Sequence, residues 1–149
     1  MLYLVPLVAF LGCIAGALLK QWIPEELKKG ATYFVWLEKI LLVILCVSLL
    51  SIAFTNSMMS YVFFVLGIAA TFIVKEPYLY FGFALSGLDF FAAVVVFLFG
   101  IPYGEKKSIV KNALLFATPF LLLLWPVNVH QLLLFAAGAS LALVFRYKT

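Results

Sequence analysis

The sequence reads as an all-α, polytopic integral membrane bundle of about six transmembrane helices, and three observations carry that reading. Of 149 residues, 67% are hydrophobic and 11% charged, whereas soluble domains carry about 25% charged residues. The apolar residues gather in runs able to cross about 30 Å of hydrocarbon at about 1.5 Å of rise per helical residue. Within those runs the residues are apolar on all sides, which favours helices over barrel strands, whose polar and apolar positions alternate.

The first span runs from Leu2 to Trp22 and carries Gly12 and Gly16 at the spacing of a close helix contact. Phe10-Leu11-Gly12-Cys13 is similar to a lipoprotein processing site. No positive stretch precedes it, however, and the apolar run continues to Leu19, so the span is expected to be retained. A short helix should start at Pro24, a residue suited to a first helical position, with Glu25 and Glu26 near its positive N-terminal end and Glu25 in reach of Lys29. Gly30 then bends the chain into a second span, Tyr33 to Phe54. Glu38 and Lys39 in its second turn are expected to reach back to the interface as a pair.

Four further spans follow: Ser57 to Val74, Tyr78 to Gly100, Ile109 to Trp125 and Gln131 to Phe145. The links Thr55-Asn56-Ser57, Lys75-Glu76-Pro77 and Pro126-Val127-Asn128 are short, so their flanking helices should be antiparallel neighbours. Trp22, Tyr33, Trp36, Tyr61, Tyr78, Tyr103, Trp125 and Tyr147 stand near span ends, where amphipathic rings prefer the head-group layer.

Two connections read alike: Ile23-Pro24-Glu25-Glu26-Leu27-Lys28-Lys29-Gly30 and Ile101-Pro102-Tyr103-Gly104-Glu105-Lys106-Lys107-Ser108. Each follows one span and precedes two, which divides a single domain, 1–149, into halves 1–76 and 77–149. An odd number of spans per half would make the second copy enter from the opposite face, a 3+3 inverted-topology repeat. With all six crossing, Lys20, Lys28, Lys29 and Lys75 fall on one face and Lys106, Lys107, Lys111, Arg146 and Lys148 on the other. That near balance suits an inverted repeat and leaves the positive-inside rule silent. The alternative is five spans, with Tyr78 to Gly100 broken at Ser86-Gly87 into a re-entrant hairpin and most basic connections gathered on the cytoplasmic face.

Asp89 is the acid nearest the centre of any of these segments, and an ionised carboxylate there should face protein or a water-filled cavity. Gly82, Ser86 and Gly87 precede it and allow close packing or local unwinding. Thr118-Pro119 should kink the fifth span and free a carbonyl. Asp89, Ser86 and Thr118 are therefore the expected ion or substrate ligands, against a purely structural role for each. His130 reads as interfacial, and Cys13 and Cys46 as small apolar packing residues. No metal, cofactor or catalytic constellation is legible, so an enzyme is not expected.

The net charge of +4 suits anionic lipid head groups rather than nucleic acid. The expected setting is the plasma membrane, with the lipid bilayer and a small ion or solute as partners; six short helices are also compatible with a homodimer or a larger membrane complex. Two functions are in play: a small transporter or channel, and a non-catalytic subunit of a larger assembly. The cadence of a glycine-bearing span followed by Ile23-Pro24-Glu25-Glu26-Leu27 resembles the opening of auxin-efflux-type carriers. Those carriers are much longer, and no residue role is carried over from them.

Overall fold

Backbone buried in hydrocarbon must satisfy its own hydrogen bonds, and every regular element among the described residues is accordingly a helix. The computed structural model describes residues 4–55, 57–87, 89–103, 109–122 and 128–146. In chain order these form α1 (Leu4–Trp22), α2 (Pro24–Lys29), α3 (Ala31–Ala53), α4 (Met58–Ile73), α5 (Pro77–Ala84), a single 3-10 turn (Leu85–Gly87), α6 (Phe90–Tyr103), α7 (Ile109–Leu122) and α8 (Val129–Arg146). Asn56, the connection Gly104–Ser108, the links at Trp125, Pro126 and Val127, and Tyr147 and Lys148 lie outside the described residues.

Local chemistry sets the helix ends. The Ser57 hydroxyl accepts from the Ser60 amide at the head of α4, and Pro77 opens α5 at a position where its missing amide proton costs nothing. The expected short helix at Pro24 is α2, with Gly30 joining it to α3. Helices α1, α3 and α8 are long and apolar enough to cross a membrane; α4, α6 and α7 are apolar and shorter.

The segment Tyr78 to Gly100 is not one span. The Tyr78 ring lies 5.6 Å from Tyr103 and the Phe81 ring 4.8 Å from Phe99, so sequence separation falls toward the 3-10 turn. Only antiparallel arms give that pattern. α5 and α6 form a hairpin whose bend lies between Leu85 and Phe90, and α5 alone, at about 1.5 Å per residue, is about 12 Å long.

The hairpin resets the direction of everything after it. An apolar groove lined by Leu4, Val5 and Val8 on one side and Phe90, Val94 and Phe97 on the other runs between α1 and α6, and a Cβ on Gly12 or Gly16 would strike the Phe97 or Ile101 carbonyl. Residue numbers rise together, so the two helices are parallel. The same holds for α4 and α8. There a Cβ on Gly67 would meet the Phe135 carbonyl and one on Gly138 the Phe64 carbonyl, while Arg146 donates to the Thr71 carbonyl and covers the Phe72 ring at 4.0 Å. The inverted repeat is thus corrected: α1 and α4 run in the same sense as α6 and α8. Inserting α5 restores the direction that an odd number of helices would have reversed.

One end of the bundle consequently collects the end of α1 with α2, the turn from α4 to α5, the end of α6, the head of α7 and the end of α8. Lys20, Lys29, Lys75, Lys111 and Arg146 all belong there. The described residues at the other end include Ser57, Asp89, Asn128 and His130 and no Lys or Arg. Among the described residues, Lys20, Lys29 and Lys75 therefore share an end with Lys111 and Arg146, while Lys106, Lys107 and Lys148 lie outside them.

Candidate functional site

A polar cluster lies inside the basic end, built from helices far apart in sequence. Glu38 on α3 is 7% exposed and shares its helix face with buried Leu41, Leu42, Leu45 and Leu49. Seven residues from the head of α3, it lies about 10 Å in at 1.5 Å per residue. The expected Glu38–Lys39 pair does not form at the interface. Lys39 instead places its ammonium 5.5 Å from the Trp36 ring centroid, and the cation whose charge acts on Glu38 is Lys20 of α1.

Tyr78 on α5 is fully buried, and the Cys13 thiol of α1 is the group that meets its hydroxyl. The groups acting on it electrostatically are Cys13 of α1, Tyr103 of α6 and Glu38. Asn112 of α7, also fully buried, donates its side-chain amide to the Cys13 sulfur at 3.8 Å. The residues needed for this arrangement come from α1, α3, α5 and α7. At its outer edge the Tyr103 hydroxyl donates to Glu76 at 3.3 Å, and Lys111 donates to the same carboxylate at 2.5 Å.

Asp89, expected near mid-membrane, stands instead at the tip of the hairpin. It is the cap of α6: its carboxylate oxygens accept from the Phe91 amide at 3.4 Å and the Ala92 amide at 3.1 Å, and its carbonyl accepts from Ala93. The depth changed because a segment long enough to cross once was folded in half. Ser86 shares that bend and donates to the Phe83 carbonyl at 2.6 Å, while Thr118 is exposed on α7 and donates to the Leu114 carbonyl at 2.8 Å. Ser86 and Asp89 are thus neighbours in one turn, and Thr118 belongs to another helix. Pro119 turns inward against Gly82 of α5.

His130 is exposed at the head of α8, where its amide donates to the Asn128 side chain at 3.0 Å. Among the described residues no His, Cys, Asp and Glu group has the makings of a metal site.

Glu38, Cys13 and Tyr78 were visible in the sequence but read for other roles, and Asn112 carried no signal of its own. No stripe in the sequence marks them, because the turns of α3 that follow Lys39 are apolar on every side, and only the structure aligns them with buried neighbours. Glu38 falls in register with the leucines at 41, 42, 45 and 49, and Asn112 with buried Phe116 and Pro119. Comparison with protein-family models, curated proteins and solved structures finds no match to this chain.

Proposed function

We propose that this chain is a multi-pass protein of the plasma membrane that carries a proton or small cation, alone or with a small solute, and that Glu38 is its carrier group. The supporting observation is a carboxylate enclosed in the bundle, 7% exposed among the buried leucines of α3. A charge at hydrocarbon depth costs about 2.5–3.5 kcal/mol on insertion scales, an expense that marks ion pathways more often than scaffolds. Asp89, Ser86 and Thr118 direct their side chains to backbone groups of their own or adjoining turns, so the carrier role passes to Glu38.

The gathering of Lys20, Lys29, Lys75, Lys111 and Arg146 supports placing that end in the cytoplasm, since short basic connections are retained there. Two triplets of like direction, α1–α3–α4 and α6–α7–α8, then rock against each other at the glycine crossings, with an axis along the membrane normal. The second reading, a non-catalytic subunit, is favoured by the wholly apolar groove of about 330 Å³ along α1 and α6, which an acyl chain or a partner helix would fill.

Reconstitution of the purified chain into vesicles separates the two. With an imposed pH gradient, and in parallel an imposed sodium gradient, dyes inside the vesicles report flux. The carrier reading expects dissipation of one gradient by the unmodified protein and return to protein-free rates in Glu38→Gln. Protein-free rates for the unmodified chain under both gradients would leave the subunit reading.

A further inference from the structure

We propose that the groove between α1 and α6 is a lipid site, seating one acyl chain that enters from the end of the bundle opposite the basic residues. Its shape follows from residue size along the two parallel helices. Toward the basic end Gly12, Gly16 and Gly100 leave no side chain between the backbones, and a Cβ on Gly12 would strike the Phe97 carbonyl. Toward the other end Leu4, Val5 and Val8 on α1 and Phe90, Val94 and Phe97 on α6 hold the helices apart, while small, buried Ala93 forms the floor. The result is a slot closed at the Gly12–Phe97 contact and open beside Leu4 and Phe90.

Size selects the occupant. The slot holds about 330 Å³. Two turns of an α-helix, about 10 Å across and about 11 Å long, fill more than twice that volume, so a partner helix would rest on the rims and leave the floor uncovered. The slot is also lined by only seven residues. A stable protein interface engages about 20–30 residues on each side. A methylene takes about the room of a liquid water molecule, about 30 Å³, so about ten methylenes fill the slot. That is the greater part of one lipid tail.

Chemistry selects the same occupant. Every lining residue is Leu, Val, Ala or Phe, which leaves nothing to orient a polar solute. Between apolar surfaces in hydrocarbon there is no water to expel, and association rests on close packing. A flexible chain lying in the slot touches both walls and the floor, whereas the face of a rigid helix reaches only the rims. An unfilled slot would forfeit those dispersion contacts outright.

The test is photolabelling of the full chain in phosphatidylcholine vesicles. The probe is phosphatidylcholine with a diazirine near the carboxyl or near the terminal methyl of one chain, and adducts are mapped by mass spectrometry. Val62 and Val65 of α4, at least as exposed as Val94 and Val8 respectively, report ordinary contact with bulk lipid. Expected is severalfold more adduct on Val8, Val94 and Phe97 than on those two valines. The methyl-end probe should favour Val8 and Phe97, and the carboxyl-end probe Leu4 and Phe90. Val94→Trp fills the slot from α6 and Val8→Phe fills it from α1, so each should lower the excess on the opposite wall to the α4 level. Equal labelling of slot and α4 overturns the proposal, as does a reversed order of the two probes or an excess that survives in both variants. An unlabelled slot in chains that cross-link as dimers hands the groove to a second copy, and overturns it too.

Discussion

At the scale of single residues, depth along the chain is a poor guide to depth in the bundle. Glu38 lies near a helix end and is buried; Asp89 lies mid-segment and caps a helix at the periphery. Replacing Asp89 by Ala removes two amide acceptors and should cost about 0.5–2 kcal/mol, as loss of a helix cap does. Unfolding of the purified protein would show that loss, while gradient-driven flux stays at the unmodified rate. Lys111 is 61% exposed on its side chain and Glu76 30%, so their ion pair is screened. Lys111→Met should therefore change stability by no more than about 1 kcal/mol in the same unfolding measurement.

At the scale of elements, the glycines decide which helices touch. Gly67 and Gly138 exchange places across the α4–α8 crossing, each against the carbonyl of the phenylalanine three residues before the other. Backbone cannot retreat as a flexible side chain can. Gly138→Ala should force the helices apart and destabilise the fold by about 1–3 kcal/mol, the usual range for overpacking. Gly30 provides the contrast: its φ of −89° suits any residue, and an added Cβ would meet the edge of the Phe34 ring at 3.2 Å and the Glu26 carbonyl oxygen at an ordinary 3.6 Å. Gly30→Ala should be neutral or stabilise by up to about 1 kcal/mol through a stiffer unfolded chain. Thermal unfolding of both variants side by side reads the difference.

At the scale of the whole molecule, one folded segment fixes the sidedness of the rest. With Cys13 and Cys46 buried, single cysteines placed at Lys29, Lys75 and Lys111 should label from one face, and those at Ser57 and Asn128 from the other. Labelling of positions 29 and 111 from opposite faces of intact cells would restore the inverted arrangement. Much of the architecture was legible beforehand, since breakers at Pro24, Ser57, Pro77 and Asn128 bound the helices, but Tyr78, expected at the head-group layer, is fully buried against Phe10, Tyr103 and Phe116. The hairpin was legible only as an alternative. Ser86 and Gly87 interrupt a helix without interrupting hydropathy, because a bend buried among apolar side chains looks like the rest of a span.

Hydropathy and breakers were enough to dictate helices and their ends, since apolar backbone away from water has no other way to satisfy its amides and carbonyls. Which helices run together, which acid is enclosed and which end is basic follow from contacts between residues as distant as Gly12 and Phe97, or Cys13 and Asn112. Helices that are apolar on every side carry no stripe that marks their inner face, so those pairings are set by close approach of backbones in three dimensions.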